Sequence, residues 1–273
     1  MKIKRLLSVV LLWCLVLLAG CSDNPKQGEE TWVLERENAI TFSDGESANL
    51  WRRDYIDDAL YKLSDGTILL TIRVSIGPDN VYVGGVESFD DLSESAQKAV
   101  SGFYEGQGLL YDTLAELQNA YEEYLTCKES GKVYQERFIS QDIAPTASND
   151  NIMCFLTSVT LPVNGQMAQE IRLGAAFDRK TGEVLSNWDM FTLPEEKTRQ
   201  WLLDKFVVAA PALRAEMEAA LKPEYIILFP QNMEVSFPQG TLPSQEYSYR
   251  VSLDYNDLRE VLQAWAIPNQ VKR

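Results

Sequence analysis

Residues 171–195 read IRLGAAFDRKTGEVLSNWDMFTLPE, and this stretch decides the fold class. Ile171 to Phe177 is a mostly apolar run, and Glu183 to Leu185 is a shorter one. Between them, Asp178-Arg179-Lys180-Thr181-Gly182 has hairpin chemistry: the aspartate side chain caps the turn and the glycine accepts positive φ. Thr192-Leu193-Pro194-Glu195 follows with capping-box spacing and a proline in the first helical turn. Leu202, Phe206 and Ala209 continue that helix until Pro211 stops it. Hairpin followed by capped helix, without strict strand-helix-strand alternation, predicts an α+β fold.

Working outward gives the same grammar. Leu213, Met217, Ala220 and Leu221 form a further helical stripe. Tyr225–Leu228, Met233–Phe237 and Tyr247–Leu253 read as strands, and Asp254 caps a last helix carrying Leu258, Val261, Leu262 and Trp265. Toward the N-terminus, Met153–Leu161 and Val133–Ile139 are strand candidates separated by a polar loop around residues 145–150. Thr113 and Glu116 form a capping box for a helix with Leu114, Leu117, Tyr121 and Tyr124 on its apolar face and Gly131 past its end. Ser93 to Phe103 is another helix. Thr67–Ile76 is rich in β-branched residues and bounded by Asp65-Gly66 and Gly77-Pro78, so it reads as a strand; residues 32–60 show no clean period. The expected architecture is a mainly antiparallel sheet backed by helices. Two related halves, 32–165 and 166–273, are expected in one compact unit.

The N-terminus is an address. Lys2, Lys4 and Arg5 precede an apolar run from Leu6 to Leu18, too short to span a bilayer and suited to a signal peptide. It ends in Leu18-Ala19-Gly20-Cys21, the arrangement of a bacterial lipobox, with small residues for the peptidase and a thiol to receive the lipid. Residues 1–20 are expected to be a lipoprotein signal peptide and 21–31 a lipidated polar tether, placing the chain on the extracytoplasmic face of a bacterial membrane.

The chain carries 25 Lys and Arg against 40 Asp and Glu, a formal charge of −15, and no histidine. Loss of residues 1–20 removes three cations (Lys2, Lys4, Arg5) and no acid, leaving −18. Such a balance argues against nucleic acid as a partner. The missing imidazole excludes Ser-His-Asp and Cys-His catalysis and any histidine metal site. No cofactor motif is present: there is no phosphate-binding glycine loop, no nucleophile elbow and no alternating aspartate loop for calcium. The acidic clusters Asp54/Asp57/Asp58, Asp90/Asp91 and Glu122/Glu123 read as solvated faces and turns. Cys127 and Cys154 either form a disulfide, which the compartment permits, or are two separately buried thiols. Of the tryptophans beyond the signal, Trp201 and Trp265 fall on apolar helical stripes, whereas Trp51, beside Arg52 and Arg53, is expected to be exposed.

From about Ala168 to Leu262 the chain resembles the C-terminal domain of RsiV-like lysozyme-sensing anti-sigma factors, which also precedes the catalytic part of some peptidoglycan deacetylases. The residues carrying the resemblance are Ala176 to Leu185, Asp189-Met190-Phe191, Met233 to Pro238, and Arg250 to Leu258. Residues 69–160 resemble, more faintly, the domain that usually precedes it. A Gly-Gly-Ala-His stretch of many members has no counterpart in Gly165–Gly174, and the deacetylase domain is lacking. The resemblance implies a non-catalytic, lipid-anchored envelope binding protein, for a cationic muramidase such as lysozyme or for a cell-wall component. A small two-carboxylate hydrolase of wall sugars and a structural subunit of an envelope complex are the alternatives. The loop Pro238–Tyr247 and the segment Gly165–Gly174 are where variable surface is expected; they give Gln166, Gln239, Leu242 and Tyr247, and the expected exposure of Trp51 adds it, as candidate partner contacts.

Overall fold

In the computed structural model, which describes residues 32–53, 56–76, 87–163, 166–206, 208 and 210–269, the N-terminal strands make a four-stranded meander. They are β1 (Trp32–Thr41), β2 (Ser47–Arg53), β3 (Ile56–Leu63) and β4 (Ile68–Ile76), each antiparallel to the next. The chain then crosses through helices α1 (Glu94–Gln107) and α2 (Thr113–Ser130) and returns as β5 (Arg137–Ser148), parallel to β4 with Leu70 opposite Arg137. A helical crossover is what a parallel return requires. Antiparallel β6 (Ile152–Val163), β7 (Gln166–Asp178) and β8 (Val184–Leu185) complete an eight-stranded sheet in sequential order. The expected boundary at 165/166 falls in the β6–β7 hairpin, so both halves contribute to one sheet.

Three cores hold the layers. On one face of the large sheet, α2 places Leu117, Ala120 and Tyr121 over Leu50, Tyr61, Leu70, Ile72 and Ile139. On the same face, α1 places Ala96, Val100 and Tyr104 over Ile143, Phe155 and Phe177. Among the described residues, helices and strands cover the opposite face only in its second half. There α3 (Glu195–Lys205), α4 (Pro211–Ala220) and a small sheet pack together; the small sheet has β9 (Ile226–Leu228), β10 (Asn232–Phe237) and β11 (Tyr249–Asp254) in the order β11-β10-β9. Leu202, Met217, Ile226, Met233 and Phe237 meet Ile152, Cys154 and Ala176 in the largest core. Each such fully buried side chain contributes on the order of 1.5–3 kcal/mol.

Several local expectations need correction. Residues 145–148 are strand, not loop: β5 is covered on both faces and is buried from Ile139 to Ser148. Its polar residues mislead a pattern reading because their partners are tertiary. Gln141, for example, accepts from the Leu110 amide at 2.8 Å and donates to the Gly108 carbonyl at 2.9 Å. Residues 32–60 hold three strands, whose pairings are interrupted by bulges that erase the alternation. Asp112, not Thr113, caps α2, accepting from the amides of Leu114 and Ala115, and Leu114 is 57 % exposed. The helix after Thr192 has Pro194 at its cap with no side-chain bond, because the Thr192 hydroxyl donates instead to the Val261 carbonyl. Pro211 opens α4 at its first position. Asp254 does cap a helix, α5 (Tyr255–Leu258), but that helix is a single turn.

Candidate functional site

The hairpin that decided the fold forms as its residues dictate. Asp178 Oδ1 accepts from the amides of Thr181 and Lys180, both at 2.9 Å, and these bonds, Thr181's foremost, hold its carboxyl below the usual 3.8. Gly182 adopts φ 73° and donates its amide to the Asp178 carbonyl. A Cβ there would also lie 2.5 Å from the Ala96 carbonyl oxygen, so the turn is wedged against α1. Arg179 reaches back to an ion pair with Glu87.

The expected partner loop, residues 238–247, is pinned at both ends. The Thr241 hydroxyl donates to the Pro238 carbonyl at 2.6 Å, and Gln239 Nε2 donates to the Glu246 carbonyl at 3.3 Å. Glu216 on α4 accepts from the Ser244 amide and hydroxyl at 3.1 and 2.8 Å. Gln239 is half-buried, and Tyr247 is 45 % exposed on a loop that also carries exposed Glu246. Glu218 of α4 takes a bond from Gln200 of α3 at 2.7 Å. Leu242 is corrected: it is 2 % exposed and belongs to the large core, because the loop folds back over its own apolar residue. It anchors the loop and cannot meet a partner.

The second expected contact segment is a strand, not a loop. Residues 166–174 lie in β7, which pairs with β6 along its length and with β8 only at Ala176 and Phe177; Arg172 and Gly174 are buried there, and the side chains of residues 166–170 lie outside the described residues. The Gln166 side chain lies outside the described residues; its backbone pairs with Val163. Arg172 crosses to the small sheet and pairs with Glu234 at 2.8 Å, the two side chains being 9 % and 14 % exposed. Asn187, absent from the sequence reading, donates to the carbonyls of Pro223 and Ile226 at 2.8 and 2.9 Å and so stitches the segment after β8 to β9. Asn149 does the same for the C-terminal segment, donating to the carbonyls of Trp265 and Ile267. Neither had a local signal, since an asparagine between strands reads as a turn residue.

Trp51 on β2 is half-buried, with Lys62 Nζ 5.9 Å from its ring centroid. Trp201 and Trp265 pack against the large core. Cys127 and Cys154 are free thiols, which corrects the disulfide alternative: Cys127 is half-buried on α2, while Cys154 lies in the large core on β6. Burial pushes the Cys154 thiol up to about 12. Asp58 pairs with Arg53 at 3.6 Å, Asp91 caps the turn at Ser88, and Glu122 and Glu123 lie on the exposed side of α2. The side chains of Asp54 and Asp57, residues 1–20, the tether and Cys21 lie outside the described residues. Among the described residues no group of three or more Asp, Glu or Cys is placed to hold a metal ion, and no helix is long and apolar enough to cross a membrane.

No protein-family model matches the chain, and no curated protein does. Among solved structures, the chain is similar to a DUF3298 family protein from Pseudomonas aeruginosa PAO1, at 14 % identity and TM-score 0.36, over 88 % of this chain and 98 % of that one. It is also similar to a DUF3298 family member from Bacteroides fragilis NCTC 9343, at 10 % identity and TM-score 0.42, over 86 % of this chain and 92 % of that one.

Proposed function

We propose that this chain is a non-catalytic, lipid-anchored protein of the outer face of a bacterial membrane, and that its C-terminal half binds a cationic wall-degrading protein such as lysozyme. One observation carries the reading: Tyr247 stands exposed on a loop held down by Glu216 and bearing Glu246. An exposed aromatic side chain on an acidic loop suits a basic partner, since the ring supplies desolvated contact and the acid supplies attraction. The balance of −18 after signal removal draws such a partner over about a Debye length, ~8–10 Å at physiological salt, and raises association rate more than affinity. The lipobox at Cys21 and the resemblance to lysozyme-sensing domains support the setting.

The test is titration of residues 29–273 with lysozyme and with an unrelated protein of similar basic charge, at low and physiological salt. Retained binding of lysozyme alone at physiological salt, weakened by Tyr247→Ala, supports the reading. Equal binding of both at low salt, with loss of both at physiological salt, is charge attraction only and rejects it.

A further inference from the structure

The face of the large sheet opposite α2 is covered over its second half by the small sheet, yet no described helix or sheet forms a layer over it at β1 to β4. The register defines what that face carries. Trp51 lies opposite Leu60, Leu60 opposite Thr71, and Thr71 opposite Phe138, a cross-strand row over four strands. The neighbouring row (Leu50, Tyr61, Leu70) points the other way and is buried under α2. Trp32 on β1 sits opposite Arg53 and holds that guanidinium 4.6 Å from its ring centroid; Lys62 approaches Trp51 in the same manner. Leu60 is 9 % exposed and belongs to none of the three cores; Trp32, Trp51, Thr71 and Phe138 are all partly buried.

We infer that this face is a binding site for a short acidic oligosaccharide. The row from Trp51 to Phe138 spans three inter-strand steps, about 14 Å, long enough for several sugar rings. Aromatic planes stack on the apolar faces of pyranose rings, and Thr71 offers a hydroxyl to theirs. Arg53, Lys62 and Arg73 lie on this face against two described acids, Asp58, which pairs with Arg53, and Asp142 of β5; the surplus is positive within a chain of net −15, so the local complementarity is for an anion. A flat bilayer does not fit, because the small sheet rises from the same face and makes a step at β5. Aromatic rings beside cations also suit single-stranded nucleic acid, but a polyphosphate is repelled by the whole chain, whereas a sugar with one carboxylate per repeat is repelled far less. The site is separate from the Tyr247 surface and independent of the basic-partner reading.

The experiment compares two tetrasaccharides with one backbone: chitotetraose, and the peptide-free alternating N-acetylglucosamine–N-acetylmuramic acid tetramer, whose lactyl groups add carboxylates. Each is titrated into residues 29–273 by calorimetry. The expected result is binding of the acidic tetramer about tenfold tighter than the neutral one. Trp51→Ala weakens both sugars, Lys62→Glu removes the preference for the acidic one, and Trp201→Ala changes neither. Circular dichroism checks each variant, and Lys62→Glu, on a partly exposed side chain, serves if Trp51→Ala fails to fold. Absence of binding by either sugar at millimolar concentration overturns the inference. So does binding that survives both variants, or tighter binding of an oligothymidylate or a Glu-rich peptide. Lysozyme titration is read separately, so either proposal can fail alone.

Discussion

Gly174 of β7 lies directly beneath the backbone of Ile226 in β9: a Cβ at position 174 would come within 2.1 Å of the Ile226 carbonyl oxygen and 3.1 Å of the Ile227 Cα. The two sheets therefore touch backbone to backbone, and the glycine is needed for its missing side chain, with no positive φ involved. The obstacle is backbone on a buried strand, so it cannot rotate away.

Gly174→Ala is expected to destabilise the protein by about 1–3 kcal/mol or more through forced separation of the sheets. Gly102→Ala is the matched control: it lies in α1, where an added methyl would meet nothing within 4 Å, so it should gain about 0.5–1 kcal/mol from reduced backbone freedom in the unfolded chain. Denaturant melts of both variants check the contrast. Equal effects would remove the close-approach argument.

Asn187→Ala is expected to cost about 1–3 kcal/mol, because it removes the amide that bonds the carbonyls of Pro223 and Ile226 and leaves Pro223 with the Ile226 amide alone. Asn187→Asp should be at least as damaging, since a carboxylate cannot donate to them. A variant that melts with the wild type would show that water replaces the amide.

The Tyr121 phenol donates to Asp44 at 2.7 Å and the Tyr124 phenol to Asp65 at 3.0 Å, so neighbouring phenols on α2 grip the turns of two hairpins. The Tyr121 bond, followed by the Glu46 amide, holds the Asp44 carboxyl below 3.8, and burial together with Asp44 pushes the Tyr121 phenol up to about 12. The amide of Thr67 chiefly lowers Asp65. A carboxyl depressed in the folded state binds its proton more readily in the unfolded one. Its contribution is therefore whole above the unfolded value and fades as pH falls through the folded one. The stability gap between wild type and Tyr121→Phe should hold steady from neutral pH to about pH 5 and narrow below it. Urea melts across that range test this; a gap that widens on acidification contradicts it.

In folded protein lacking residues 1–28, a maleimide probe at pH 7 should label Cys127 and spare Cys154, which is walled in by the large core. Denaturant should expose the second thiol without any reductant. A need for reductant before either thiol reacts would mean that they are bonded to each other.

Cells fed a clickable palmitate should label the wild-type protein and not Cys21→Ala. Equal labelling of the two would end the lipid-anchor proposal.

The sequence by itself determined the fold class and the elements whose signals are local. The Asp178–Gly182 turn, α2 with Gly131 at its end, and β9 to β11 all follow from residues that satisfy one another within a few positions. Pattern also implied the acidic surface and the absence of imidazole chemistry. The tertiary structure decided everything in which a residue answers to a distant one. It made a buried strand of polar β5 by covering both faces, drew Leu242 into the core, and took Thr192 from its helix to serve Val261. It also made Gly174 a spacer between sheets and assembled Trp32, Trp51, Leu60 and Phe138 from four strands onto one face. Their spacing in the chain carries no period, because only cross-strand register, set by bulges and turns, makes such residues neighbours.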